Sequence, residues 1–311
     1  MASIVTITFS PAIDKSTSIH ALIPEKKIKC SQPKLEPGGG GINVARAIRK
    51  LGGDALAIYP AGGYSGKYFQ KLLEDEQIRC GVVESKAETR ENLIVFDEST
   101  GMQYRFGMPG TPLQQQECDE ILSMLKKEKD VQFIVVSGSL PPGVSPDIIT
   151  EIAKISEAKK AKLIVDSTGE ALEKAAASGV FLMKPNLSEL SSLVGKKSIE
   201  LEEVDDAARE VIARGNAEAV VVSMGPSGAL LVTKDKEKQF VPPRIKTKST
   251  VGAGDSMVAG IVYSIVNGSD LENAVCFGVA CGTAATMNPG TELFKKEDVE
   301  RIFTYIKKNT R

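Results

Sequence analysis

Short apolar runs alternate with helix-length amphipathic patterns along most of the chain, and that alternation limits the fold more than any other feature. The runs are Ile4–Phe9, Leu56–Pro60, Phe133–Ser137, Lys162–Asp166, Phe181–Lys184, Ala219–Ser223 and Ala229–Thr233. Several lack polar alternation, as strands covered on both faces do. Helical spacing marks Ile42–Leu51, Gly66–Asp75, Gln115–Lys127, Asp147–Lys159, Glu170–Ala177, Glu203–Arg214, Ala253–Asn267, Leu271–Met287 and Lys296–Lys308. The repetition predicts an α/β fold: a doubly wound, mostly parallel sheet with helices on both faces. Ligands in such folds lie at the carboxyl ends of the strands, so the loops after each run are where chemistry is sought.

Two stretches break the pattern. Asp14–Glu36 mixes polar and apolar residues with no helical spacing, and Thr89–Phe106 holds two strand-like runs, Asn92–Phe96 and Gln103–Phe106, joined at Asp97–Gly101. They are expected to form antiparallel strands of a small second sheet, an excursion of one domain spanning residues 1–311.

Composition narrows the chemistry. A net charge of −1 gives no reason to expect nucleic acid or an anionic membrane as partner. No apolar stretch is long enough to span a bilayer, and the first residues lack the basic and apolar regions of a signal peptide. Cys30, Cys80, Cys118, Cys276 and Cys281 are odd in number and scattered, which argues against a disulfide framework or a zinc site and for a reduced, cytoplasmic protein. The single histidine, His20, lies in a polar stretch without a motif. Catalysis must then rest on carboxylates, lysines, arginines and backbone dipoles.

Two glycine clusters stand before helices. In Thr250-Val251-Gly252-Ala253-Gly254-Asp255-Ser256, small residues open an apolar helix, an arrangement that presents free N–H groups to an anion. Asp255 there is either a helix cap or a general base for a hydroxyl attacking a phosphate. In Pro37–Ala45, four successive glycines and Asn43 form either a ligand site over bare backbone or a flexible loop. Other loops are read both ways. Asp14, after the first strand, is a sugar-hydroxyl acceptor or a turn residue. Ser139 lies in a small-residue loop that is a ligand contact or a plain connection. Asn186 and Glu189 have capping-box spacing, while Glu189 also suits Mg²⁺ held through water. Ser223 and Gly225 sit at a strand end that reads as a hairpin turn or a nucleotide contact. Arg90, Arg105 and Lys27 are phosphate ligands or edge-strand charges.

Assembled, these stretches resemble the ribokinase-like sugar kinases, the phosphofructokinase-B family, from Ile4 to about Thr304. Thr250–Ser256 resembles the family's C-terminal signature and Gly38–Asn43 its N-terminal one. Arg46, Tyr104–Phe106, Met108–Gly110, Ser137–Val144, Asp166–Leu172 and Ser249–Val258 are similar to the branch that phosphorylates fructose 6-phosphate. Gly40 stands where the 1-phosphofructokinases and tagatose-6-phosphate kinases carry lysine in Gly-Gly-Lys-Gly, although tagatose 6-phosphate stays open as substrate.

The resemblance implies a ribokinase-like fold with a small β-sheet lid from about residues 14–36 and 89–106, often a homodimer interface. It implies transfer of the ATP γ-phosphoryl to the 1-hydroxyl of fructose 6-phosphate. Asp255 would be the base, beside the Gly252, Ala253 and Gly254 amides. Asp14, Lys27, Gly38, Gly39, Asn43, Arg90, Arg105 and Ser139 would hold the sugar phosphate. Lys184, Asn186, Ser223, Gly225, Thr250 and Gly252 would line ATP, and Glu189 would act on Mg²⁺. Potassium would sit near Val251, Ala285, Asn288 and Gly290. Two other readings are a non-catalytic sugar-phosphate-binding regulator and a nicotinamide-dependent dehydrogenase.

Overall fold

The computed structural model describes residues 4–214 and 217–309. Its strands are β1 (Ile4–Ile7), β2 (Ala12–Ile19), β3 (Lys34–Gly38), β4 (Leu56–Ala61), β5 (Arg79–Glu84), β6 (Arg90–Asp97), β7 (Met102–Phe106), β8 (Phe133–Ser137), β9 (Lys162–Asp166), β10 (Val180–Met183), β11 (Ala217–Ser223), β12 (Ala229–Thr233) and β13 (Glu237–Phe240). The helices are α1 (Gly40–Lys50), α2 (Gly63–Asp75), α3 (Gln115–Lys127), α4 (Ile148–Lys159), α5 (Gly169–Ala177), α6 (Leu187–Leu193), α7 (Val204–Ala213), α8 (Ala253–Val266), α9 (Leu271–Ala285) and α10 (Lys296–Asn309).

Nine strands form the main sheet in the order β13-β12-β11-β10-β9-β8-β1-β4-β5, parallel except for the β11-β12-β13 meander. Side chains alternate between two cores. Ile4, Phe133 and Val135 face α1, α2 and α8–α10, while Val5, Ile7, Ile134 and Val136 face α3–α7. Burial on both faces explains why these runs are continuously apolar. The edge strands β5 and β13 were not foreseen: Arg79–Glu84 carries a glycine and charged ends, and Glu237–Phe240 is mostly polar.

The two irregular stretches form a four-stranded sheet in the order β3-β2-β6-β7. Its central pair, β2 and β6, is parallel, with Ala12 opposite Arg90 and Asp14 opposite Asn92. The β6–β7 hairpin is antiparallel, as its turn-like linker suggested.

Helix α8 is set firmly. A Cβ on Gly260 would lie 2.8 Å from Gly278 Cα and 2.7 Å from Cys281 Sγ, so glycine lets α8 and α9 approach closely. Close packing of that kind fixes where the N-terminus of α8 points.

Candidate active site

The strand order reverses beside β1. The chain runs from β1 to β4 and β5 on one side, then returns with β8, β9 and β10 on the other. Such a switch point opens a crevice at the carboxyl ends of the strands flanking it. Helix α1 docks over that crevice. A Cβ on Gly40 would fall 2.3 Å from Ser137 Oγ and 2.4 Å from the Ser137 carbonyl carbon, and one on Gly41 would fall 2.6 Å from Ile7 O. Glycine at these two positions lets α1 pack against the strand ends, a crowding that the reading of the run as bare backbone did not include. A lysine at position 40 would require the Ser137–Gly138 backbone to move. Gly39, at φ 112, is the N-cap of α1 and needs glycine for its conformation.

Asp255 lies in the first turn of α8, whose N-cap is Gly252 in the left-handed region at φ 73. It does not cap the helix. Its Oδ2 accepts from Asn43 Nδ2 at 3.0 Å and its Oδ1 from Ser137 Oγ at 3.1 Å, so α1 and β8 hold it from two sides. The first i→i−4 bond of α8 runs from Ser256 N–H to Gly252 O, which leaves the Gly254 and Asp255 N–H groups at the open end. Burial, reinforced by Asp166, lifts the Asp255 pKa to about 6, while Asn43, Lys184 and Ser137 pull the other way. A carboxyl with that acidity is suited to take a proton near neutral pH.

Two further groups complete this centre. Lys184, 5 % exposed, donates Nζ to Asp166 Oδ1 at 3.0 Å. Burial opposes its charge, but Asp166 and Asp255 outweigh burial and hold the ammonium above its ordinary value. A Cβ on Gly254 would lie 3.2 Å from Lys184 Nζ and 3.8 Å from Asp166 Oδ2, so the pair sits at the helix opening. Lys184 therefore stands near Asp255 at the start of α8. Asp166 and Ser137 were not singled out from the sequence. Both end buried strands, which was the signal available.

On the small sheet, Asp14 is 6 % exposed and its Oδ1 accepts from Asn92 Nδ2 at 2.9 Å. Burial holds its carboxyl above the ordinary value against the pull of Asn92, Arg46 and Arg90. Gly38 leaves space for it, since a Cβ there would lie 2.3 Å from Asp14 Oδ2. Arg90 donates to Met108 O at 2.6 Å and Ser10 O at 3.1 Å, and its buried Nε finds no acceptor in the protein. Ser10 Oγ is buried and unpartnered on the same side. Unfilled donors of this kind suit a polyhydroxylated anion. Arg105 is exposed on β7 opposite Ile94, on the sheet face shared with Arg90 and Asn92. Ser139 is exposed beyond the end of β8. Lys27 is not brought to this group: it is exposed in the loop beyond the Ile19–Cys30 bridge, at the end of β2 opposite Asp14.

A cavity of about 890 Å³ opens on the other side of Asp255. Asn186, Ser223, Gly225, Thr250, Ala253 and Gly254 line it together, with Met257 and Val279 offering apolar surface. Gly225 also starts the turn of the β11–β12 hairpin, as one reading of that loop expected. Asn186 and Glu189 form a reciprocal capping box, with Glu189 N–H 2.9 Å from Asn186 Oδ1 and Asn186 N–H 2.8 Å from Glu189 Oε2. Burial keeps the Glu189 carboxyl above its ordinary value, with Asp166 adding to it. Val251, Ala285, Asn288 and Gly290 belong to the approach to α8 and the segment after α9. There Asn288 Nδ2 donates to Ala284 O at 3.2 Å, and Thr291 Oγ1 is buried without a partner.

The sequence matches the pfkB family carbohydrate kinases over residues 4–298. The chain belongs to this family. The ATP-dependent 6-phosphofructokinase isozyme 2 of Escherichia coli (strain K12) is 45% identical over 307 residues, covering 98% of this chain and 99% of that protein. The structure of phosphofructokinase-2 from Escherichia coli in complex with substrates and products superposes with a TM-score of 0.93, over 98% of this chain and 99% of that one, at 45% identity. Another structure of that enzyme is in complex with potassium. A tagatose-6-phosphate kinase of Staphylococcus epidermidis (strain ATCC 35984 / DSM 28319 / BCRC 17069 / CCUG 31568 / BM 3577 / RP62A) is 30% identical over 307 residues, covering 97% of this chain and 98% of that protein. A pfkB family member of this kind is an ATP-dependent sugar-phosphate kinase. No helix among the described residues is long and apolar enough to cross a membrane.

Proposed function

We propose that this kinase transfers the γ-phosphoryl of ATP to the 1-hydroxyl of fructose 6-phosphate, giving fructose 1,6-bisphosphate and ADP in glycolysis. The observation that carries the mechanism is Asp255, held by Asn43 and Ser137 at the opening of α8 between the small-sheet group and the 890 Å³ cavity.

ATP lies in that cavity with its γ-phosphoryl toward the Gly252, Ala253 and Gly254 backbone. Fructose 6-phosphate lies under the small sheet, its hydroxyls on Asp14 and its phosphate toward Arg90, Arg105 and Ser139. Gly38 and Gly39 shape this floor, and Asn43 joins it to the base. Asp255 accepts the proton of the 1-hydroxyl while that oxygen forms a bond to the γ-phosphorus. The bond from phosphorus to the β,γ-bridging oxygen breaks, and ADP leaves. Lys184 places a fixed positive charge beside the transferred group, where phosphoryl transfer needs neutralisation and alignment. Mg²⁺ entering with ATP would be held through water by Glu189 and would screen the triphosphate charge. Val251, Ala285, Asn288 and Gly290 would hold potassium, supported by the unpartnered Thr291 hydroxyl beside them.

Leu22, Ile23, Phe96, Met102, Phe106 and Met108 are large apolar side chains exposed on the small sheet and its loops, which supports self-association there into a homodimer. Lys27, on the same sheet, would then reach a site only through that association. Five free thiols suit a reducing cytoplasm.

An ADP-release assay with ATP, Mg²⁺ and potassium tests the substrate. Fructose 6-phosphate is expected to give a higher kcat/KM than tagatose 6-phosphate, fructose 1-phosphate or free sugars. A higher value for any of these would sink the assignment and leave the kinase mechanism standing.

A further inference from the structure

We infer that Arg46 is a positioning residue for the phosphoryl transfer: it fixes the Asn43 amide in the one orientation that donates a hydrogen bond to Asp255. The inference rests on the reading of Asp255 as the base.

Arg46 lies on α1 one turn from Asn43 and is 2 % exposed. Its Nη1 donates to Asn43 Oδ1 at 3.3 Å, to Pro37 O at 2.9 Å and to Thr291 O at 3.1 Å. Its Nε and Nη2 lie 2.7 and 2.6 Å from the Glu76 carboxylate oxygens. Glu36 Oε1 stands 3.7 Å from Nη2. The planar fork is thus gripped by β3, α2 and the segment after α9, and cannot turn without breaking several bonds.

The chemistry of the donors fixes what this does. A guanidinium only donates and a carboxylate only accepts, whereas an amide has one face of each kind. Asn43 can satisfy Arg46 and Asp255 together in a single orientation, oxygen to Arg46 and nitrogen to Asp255. Without Arg46, only the bond to Asp255 itself holds the amide in this orientation, and the amide oxygen has lost its donor. A flipped amide would present a lone pair to the carboxylate and favour its protonated form.

Other charges bear on both ends of this chain of bonds. Asp166 from β9 and Lys184 from the end of β10 face Asp255, with Glu189 of α6 beyond Lys184. Ser137 of β8 contributes a neutral donor. Around Arg46 stand Glu36 of β3, Glu76 of α2 and Lys50 of α1, while Lys34 bridges Glu36 and Glu292. These groups remain in place when Arg46 is changed to lysine, which isolates the fork from the charge.

The test is the pH profile of kcat with saturating ATP and fructose 6-phosphate. Base catalysis requires ionised Asp255, so kcat falls on the acid side. In Arg46→Met that limb moves to higher pH by roughly one to two units, the effect of one hydrogen bond to a charged group. In Arg46→Lys the limb stays displaced, since one ammonium cannot reproduce the fork. A limb restored by lysine would mean that charge alone matters and would overturn the inference.

Leu73→Val, a packing change in the buried face of α2, lowers Tm and leaves the limb in place. A limb that moved with Tm in this variant would make the effect merely structural. Glu76→Gln, which loosens the fork from a part-exposed position, displaces the limb in the same direction by less. It carries the test if neither Arg46 variant folds, and an unmoved limb would then refute the proposal. Full turnover in Asp255→Asn would bring down the base assignment itself. An inactive Asp255→Asn together with a wild-type limb in the Arg46 variants would bring down only the role of Arg46.

Discussion

Gly38→Ala isolates the contribution of Asp14 with a single methyl group. Gly38 lies in β3 with an ordinary backbone conformation, so alanine imposes no φ strain there. The new Cβ would lie 2.3 Å from Asp14 Oδ2 and 2.7 Å from its Cγ, closer than van der Waals contact allows. The carboxylate must rotate away from Asn92 and from the face it shares with Arg90. If Asp14 accepts hydroxyls of the sugar phosphate, the loss is that of a hydrogen bond to a charged group, about 1.5–3 kcal/mol. That corresponds to a drop of roughly 10- to 150-fold in kcat/KM for fructose 6-phosphate. KM for ATP should not change, because the cavity proposed for ATP is lined by Asn186, the end of β11 and its turn, residues 242–250, α8 and α9, and not by the small sheet. Gly107→Ala is the control: a Cβ there meets nothing within 4 Å and its φ is unrestricted. The measurement is an ADP-release assay over a grid of both substrates, with Tm for each variant. An unchanged kcat/KM in Gly38→Ala would refute the placement of Asp14 in the sugar site. An equal rise in KM for ATP would show a general distortion of the cleft.

Three other outcomes are expected. Asp255→Asn should reduce kcat by about 10²–10⁴-fold with KM for fructose 6-phosphate nearly unchanged, and a kcat near wild type would remove its role as base. In the wild type, log kcat should fall with unit slope below pH about 6, because protonation silences Asp255, whose acidity burial has lowered to that range; a flat profile down to pH 5 would contradict this. Met102→Glu combined with Phe106→Glu should shift the sedimentation profile toward the monomer, both side chains being exposed on β7, and an unaltered profile would place the interface elsewhere.

The main sheet was legible because its strands are buried on both faces, so Phe133–Ser137 and Lys162–Asp166 announce themselves as apolar blocks. Its edges were not. Arg79–Glu84 and Glu237–Phe240 carry charges that keep an edge soluble and erase the strand signal. The serine- and threonine-rich β2 was visible only as an absence of helix. Asp255 stood out through the small residues around it, yet its choice between cap and base depended on Asn43 and Ser137, which only the fold brings near. Asp166 was noticed only within the stretch Asp166–Leu172, because its partner Lys184 lies just past the end of the next strand. The glycine run drew notice as bare backbone, yet two of its glycines also accommodate strand ends, a crowding no linear pattern reveals.

The parallel pairing of β2 with β6 has a kinetic consequence. A hairpin turn cannot join parallel partners, so Ala12 must find Arg90 across β3, α1, β4, α2 and β5, whereas β6 pairs with β7 through a short turn. Distant pairings close late, since loop entropy must be overcome before their contacts form. A folding chain should therefore close the β6–β7 hairpin, with Arg90 and Arg105, before β2 brings Asp14 alongside it, so the small sheet holds its cations before its carboxylate.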